Sequence, residues 1–215
     1  MTYSQQKPMT PEQQEALLRY TKIGLRWVRG EISLDNVIKN MGIPQFHSDQ
    51  DGKIEYAWFP EKVMSVSFIF DTRNSTDGTP CVSEFNIQIE DDVSTNILYQ
   101  NFDEIGMKRI ERGERIDNFR VEQSDFVGYP YLFDIFGGTP INTVVFGYRL
   151  PLADDSPYDI EANIRYLAEL ASEKGPWDIR NVRRAVDLRE VEIFRHYLTL
   201  EELDNRKSAS PWTTQ

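Results

Sequence analysis

Across residues 81–90 apolar and polar side chains alternate with a period of two. Phe85, Ile87 and Ile89 interleave with Glu84, Asn86, Gln88 and Glu90. Successive side chains of a strand point to opposite faces, so this segment predicts one buried face and one wet, acidic face. That pattern belongs to an antiparallel sheet solvated on one side, and it requires apolar elements elsewhere in the chain to cover the other side. Residues 54–59 and 63–70 are rich in β-branched and aromatic types and predict two preceding strands. The turn cluster Asn74-Ser75-Thr76-Asp77-Gly78 makes a hairpin of the second and third runs. Further strands are expected over 116–122, 126–136 and 141–150, with Gly137-Gly138 as a turn and Pro130 marking an edge or broken strand.

Helical signals frame these runs. Thr10 reads as an N-cap with Pro11 at the first helical position and Gln13 closing a capping box, followed by Ala16, Leu17, Tyr20, Leu25, Trp27 and Val28. Gly30 ends that helix, and Ser33 caps a second over 34–41 whose exit is Gly42-Ile43-Pro44. Residues 103–112 form a short helix or a turn-rich connection. After the sheet, Ser156 and Pro157 with Asp159 resemble a capped start, and Ile160, Ile164, Leu167, Leu170 and Ala171 fall at helical spacing up to Gly175-Pro176. A helix over 178–197 and a short one from Leu200 complete the expectation. The chain thus predicts a single α+β domain over 1–204, a mainly antiparallel sheet of about six strands between an N-terminal helical hairpin and C-terminal helices, with 205–215 a flexible tail.

The charge is unevenly placed. The net charge is −11, and residues 46–155 carry 20 acidic against 9 basic residues while the flanks balance. An acidic, strand-rich centre argues against nucleic acid or anionic membrane as partners and points to something basic. At 215 residues, 40% hydrophobic and 27% charged, the composition is that of an ordinary globular domain. No apolar run approaches the roughly 18 residues of a membrane helix and the start is polar, so a cytoplasmic protein is expected. Cys81 is the sole cysteine, which excludes an intramolecular disulfide.

Chemistry-bearing motifs are weak. In His47-Ser48-Asp49-Gln50-Asp51-Gly52 the middle resembles a calcium loop, but His47 takes the first place and Trp58 the twelfth, which leaves an ordinary Asp-Gly turn. Cys81 with His47 or His196 is the one conceivable thiol–imidazole pair, yet no base or oxyanion donor lies near it in sequence, and a small core hydrophobe is the better reading. His196, between Phe194 and Tyr197, reads as a packing or capping residue rather than a metal ligand. Gly137-Gly138-Thr139-Pro140 lacks the lysine and following helix of a phosphate loop. Glu90-Asp91-Asp92 and Asp154-Asp155 are solvated turns or a partner-binding patch. Arg180, Arg183, Arg184 and Arg189 are interleaved with Asp178, Asp187, Glu190 and Glu192, a mixed-charge surface and not a nucleic-acid stripe. Trp58-Phe59 and Tyr129-Pro130-Tyr131 are candidate aromatic anchors, with core packing the stronger reading. No cofactor, metal site or catalytic residue is expected.

In overall character, small, acidic, α+β, untargeted and without catalytic motifs, the chain resembles the cytosolic immunity proteins that bacteria encode beside secreted antibacterial toxins. The resemblance implies a non-enzymatic inhibitor that occludes the active site of a basic toxin. Glu84, Asn86, Gln88, Glu90, Asp91 and Asp92 would then form the partner-binding face, steering association by charge while a few aromatic anchors supply affinity. An adaptor or chaperone for a secreted effector, or a hydrolase using scattered carboxylates, would be the alternatives. A broad apolar groove would mark the former and a polar pocket holding a carboxylate of raised pKa the latter.

Overall fold

The computed structural model describes residues 7–73, 75, 78–90, 92–97, 142–150, 155–170 and 182–209, with backbone alone at 142–150, 167–170, 182–186 and 207–209. The chain is α+β, an antiparallel sheet with helices at its N- and C-terminal ends. In chain order the elements are β1 (Lys7–Pro8), α1 (Pro11–Val28), α2 (Leu34–Met41), β2 (Phe46–Gln50), β3 (Lys53–Trp58), a 3-10 turn (Pro60–Lys62), β4 (Met64–Asp71), β5 (Cys81–Ile89), β6 (Val93–Ser94), β7 (Asn142–Leu150), β8 (Tyr158–Leu170), β9 (Val182–Tyr197) and α3 (Leu200–Ala209). Among the described residues seven strands pair antiparallel in the order β2-β3-β4-β5-β9-β8-β7, and β1 and β6 form a separate parallel pair.

Both N-terminal helices start where their caps predict. The Thr10 hydroxyl accepts from the Gln13 N–H while the Gln13 side chain accepts from the Thr10 N–H, and Ser33 and Asn36 repeat the arrangement. The helix α1 lies across β5 and β9. It approaches so closely that a Cβ on the buried Gly24 would run into the ring of Phe85. Around that contact Trp27, Trp58 and Phe85 each meet Phe68 edge-on, at centroid distances of 5.1, 5.5 and 5.0 Å. Leu17, Leu25, Val66, Ile87, Ile164, Val191 and Ile193 complete a single core on this side of the sheet. Arg195 ties the end of α1 down: its Nε donates to the Val28 carbonyl at 2.8 Å and its guanidinium covers Tyr158, 4.1 Å from the ring centroid.

The strands expected over 54–59, 63–70, 81–90 and 141–150 are β3, β4, β5 and β7. The Asp51-Gly52 turn is present, with both residues at positive φ (53° and 77°), but it joins β3 to β2, a strand absent from the sequence expectation. The largest correction concerns the C-terminal third. The helices expected from Ser156 and over 178–197 are the strands β8 and β9. Ile160 and Ile164 are four apart, a spacing that fits a helical stripe and a strand face equally, and Ala162 between them decides the matter by joining the same buried face. Tail residues 205–209 belong to α3, and Arg206 NH2 holds the buried Asp159 Oδ2 at 2.6 Å. Residues 103–112, 116–122 and 126–136, the Gly137-Gly138 turn, Tyr129-Pro130-Tyr131, Asp154, Asp178, Arg180 and residues 210–215 lie outside the described residues. No helix among the described residues is long and apolar enough to cross a membrane.

Candidate functional site

The sheet face opposite α1 follows from the registers. One row across it runs Ser48, Glu55, Ile69, Glu84, Phe194, Glu161. The next runs Phe46, Ala57, Ser67, Asn86, Glu192, Asn163, and a third Ser65, Gln88, Glu190, Arg165. Glu55, Glu84, Glu161, Glu190 and Glu192 therefore share one surface drawn from four strands. Polar neighbours hold most of them: Asn86 Nδ2 donates to Glu190 Oε1 at 2.9 Å, Asn163 Nδ2 to Glu192 Oε2 at 2.8 Å and Ser67 Oγ to Glu55 Oε1 at 2.7 Å. Arg165 NH1 pairs with Glu190 Oε2 at 2.6 Å.

Glu84 differs. No hydrogen bond or ion pair reaches its carboxylate from the described residues, and Ile69 and Phe194 flank it on the adjacent strands. Burial raises its pKa above the ordinary value, the like charges of Glu192, Glu190 and Glu55 push the same way, and Lys53 pulls against them. A partner that brought a cation here would relieve both effects.

The residues expected to form the partner surface are only partly together. Glu84, Asn86 and Gln88 lie on this face, with Gln88 exposed and Asn86 turned inward to Glu190. Glu90 and Asp92 are exposed but belong to the turn after β5, where the Val93 N–H donates to the Glu90 carbonyl and the Asp92 carbonyl accepts from Lys7. Asp91 lies outside the described residues. Glu161, Glu190 and Glu192 were missed as members because their segments read as helices. The signal was available in Glu190, Val191, Glu192, Ile193 and Phe194, whose half-buried and buried positions alternate with the strand period.

Other sequence candidates are structural. Trp58 is buried and donates through Nε1 to the Gly42 carbonyl at 3.0 Å. Cys81 is a free thiol near the Asp71 carbonyl (3.3 Å), and the Tyr197 hydroxyl donates to the Val82 carbonyl (3.0 Å) and approaches Cys81 Sγ (3.3 Å). Burial, then the hydrogen bond with Cys81, pushes the Tyr197 phenol up to about 12. His47 packs on Tyr56, and His196 sits 3.6 Å from both Glu161 and Glu202. The buried Asp187 and the half-buried Arg189 form a clamp: Asp187 accepts from the N–H and hydroxyl of Thr95 and pairs with Arg189 at 2.8 Å, and Arg189 donates to the Glu90 and Val93 carbonyls. A cleft of about 680 Å³ lies away from the carboxylates of the sheet face, between α1 and the Pro60–Lys62 turn, with Glu12, Gln13, Tyr20 and Glu61 in its walls. Among the described residues no group of His, Cys, Asp and Glu side chains is arranged to hold a metal ion.

In comparison with known proteins, no family model, no curated protein and no solved structure matches this chain.

Proposed function

We propose that this chain is a cytoplasmic protein-binding inhibitor of the immunity-protein kind, meeting a basic toxin on the sheet face that carries Glu55, Glu84, Glu161, Glu190 and Glu192. The supporting observation is that these carboxylates share one broad surface with the exposed Phe46 and the half-buried Phe194. Opposite charge on the partner would steer encounter and select among partners, and the aromatic side chains would supply desolvated contact. Lysine or arginine placed against Glu84 would meet a carboxylate that has no hydrogen bond to lose among the described residues.

Capture from native cell lysate tests this with three tagged proteins. One is unchanged, one carries Gln88, Glu190 and Glu192 replaced by Lys, and one carries Glu12, Glu15 and Asp35 on the exposed helix surfaces replaced by Lys. The proposal requires a basic protein retained by the first and third and lost by the second, whose toxic activity falls as the unchanged chain is added. Equal capture by all three, or none, would overturn it. A carboxylate hydrolase is the second reading, favoured by the raised pKa of Glu84, the direction of shift that suits a general acid. Hydrolysis abolished by Glu84→Gln would favour that reading, while a survey of hydrolysable substrates without turnover would remove it.

A further inference from the structure

We propose that the chain associates with a second copy of itself through the free edge of β2, forming a two-fold antiparallel pair centred on Ser48. In the sheet order β2 is terminal, and no strand among the described residues pairs with its outer side. Edge strands that must stay single are commonly blunted by Pro, Lys or a bulge; β2 reads Phe-His-Ser-Asp-Gln, pairs with β3 without interruption and carries only one full charge, Asp49.

The hairpin geometry says which groups face outward. Gln50 and Lys53 flank the two-residue Asp51-Gly52 loop, and such a closing pair is hydrogen-bonded. Bonded and non-bonded pairs alternate along an antiparallel ladder, so Ser48 and Phe46 also bond inward to β3. The N–H and C=O of His47 and Asp49 therefore point to the open edge.

A two-fold axis at Ser48 makes His47 the bonded neighbour of Asp49 in the second copy, and by symmetry Asp49 the neighbour of its His47. Each imidazole then lies across from a carboxylate on the same sheet face, with backbone hydrogen bonds joining the two strands. Neighbouring registers are worse. An axis at His47 sets imidazole against imidazole, and one at Asp49 sets carboxylate against carboxylate. Imidazole–carboxylate hydrogen bonding, which this strand can make with a second copy of itself, thus selects both the occupant and the register.

The apolar exposure fits the same edge. Ile43 (84% exposed), Phe46 (45%) and Phe59 (41%) gather at the corner where β2 begins. Phe46 would lie across from Gln50 of the second copy, and Ile43 would run toward that copy's Asp51-Gly52 turn. Only one short strand is shared, so the dimer should be a weak, concentration-dependent one.

Sedimentation of the full chain from about 1 µM to about 200 µM tests the proposal, with urea unfolding of each variant to establish that it is folded. The unchanged chain should shift from the monomer mass toward twice that mass. His47→Asp and Asp49→His singly should each weaken association by about tenfold or more, because each sets like groups opposite one another. The exchange His47→Asp with Asp49→His should restore it. His47→Pro, which removes an outward donor and leaves the ladder to β3 intact, should abolish it. A chain that stays monomeric throughout, singles that associate as well as the unchanged chain, or an exchange that fails to restore association would each overturn the proposal. The assay contains no partner protein, so its outcome is independent of the inhibitor reading.

Discussion

Replacing Gly24 by Ala sets two known effects against each other at one buried position. Ala in a helix interior is favoured over Gly by about 1 kcal/mol. Against this, the new Cβ would lie far inside 3.0 Å of the Phe85 ring, a separation that real Cβ atoms essentially never show. The obstacle is a rigid ring with no room to move. Phe85 is fully buried and edge-on to Phe68, which is itself held by Trp27 and Trp58. Overpacking a dense core costs about 1–3 kcal/mol, and the absence of a yielding neighbour places this site at the upper end. The expected net loss is about 1–2 kcal/mol, read as a fall of roughly 1 M in the urea midpoint at unchanged slope. Phe85→Leu removes ring atoms from beneath the new methyl, so the double variant should be more stable than the sum of the singles by about 1 kcal/mol. A Gly24→Ala protein that unfolds at a higher urea concentration than the parent, or strict additivity with Phe85→Leu, would refute the close approach of α1 to β5.

Asp187→Ala should cost about 3–5 kcal/mol in chemical unfolding, because it strands Arg189 and leaves the Thr95 N–H unsatisfied in a buried site. A loss under about 1 kcal/mol would mean the clamp does not form. Glu84→Gln should raise stability at pH 7. The raised carboxyl pKa means the native state keeps a proton that the unfolded chain has released, so stability falls as pH rises from the ordinary value of 4.5 through the native one. The gain should vanish near pH 4, and a variant less stable than the parent at pH 7 would contradict the reading. Tyr197→Phe should cost about 1 kcal/mol at neutral pH through its lost hydrogen bonds. In the parent, stability should drop between pH 10 and about 12, where the unfolded phenol ionises before the native one; the Phe variant should show a shallower alkaline drop in thermal scans.

Local chemistry was readable wherever one interaction decided the structure. Thr10 and Gln13, Ser33, the Asp51-Gly52 turn and the alternation around Phe85 each fix geometry within a few residues. The C-terminal third was not readable in the same way. Glu161, Arg165, Glu190 and Glu192 are individually good helix formers, and their strand state comes from pairing with neighbouring strands, β9 with β5 and β8 with β9, a long-range term that composition does not carry. The candidate face inherited that error. Its β5 residues could be recognised from period two, but its β8 and β9 residues could be placed there only once those segments were known to be strands.

The pairing of β5 with β9 also fixes the order in which the molecule can assemble. From β2 to β5 each strand pairs with its successor across a short connection, whereas Asn86 and Glu190 are 104 positions apart. Short loops close early and long ones late, so the N-terminal meander should form first and the seam between β5 and β9 last. Until the seam closes, β5 is an open edge, and the polar Glu84, Asn86 and Gln88 along it discourage other chains from pairing there. The acidic surface is consequently a product of complete folding, present only when the last strands have docked.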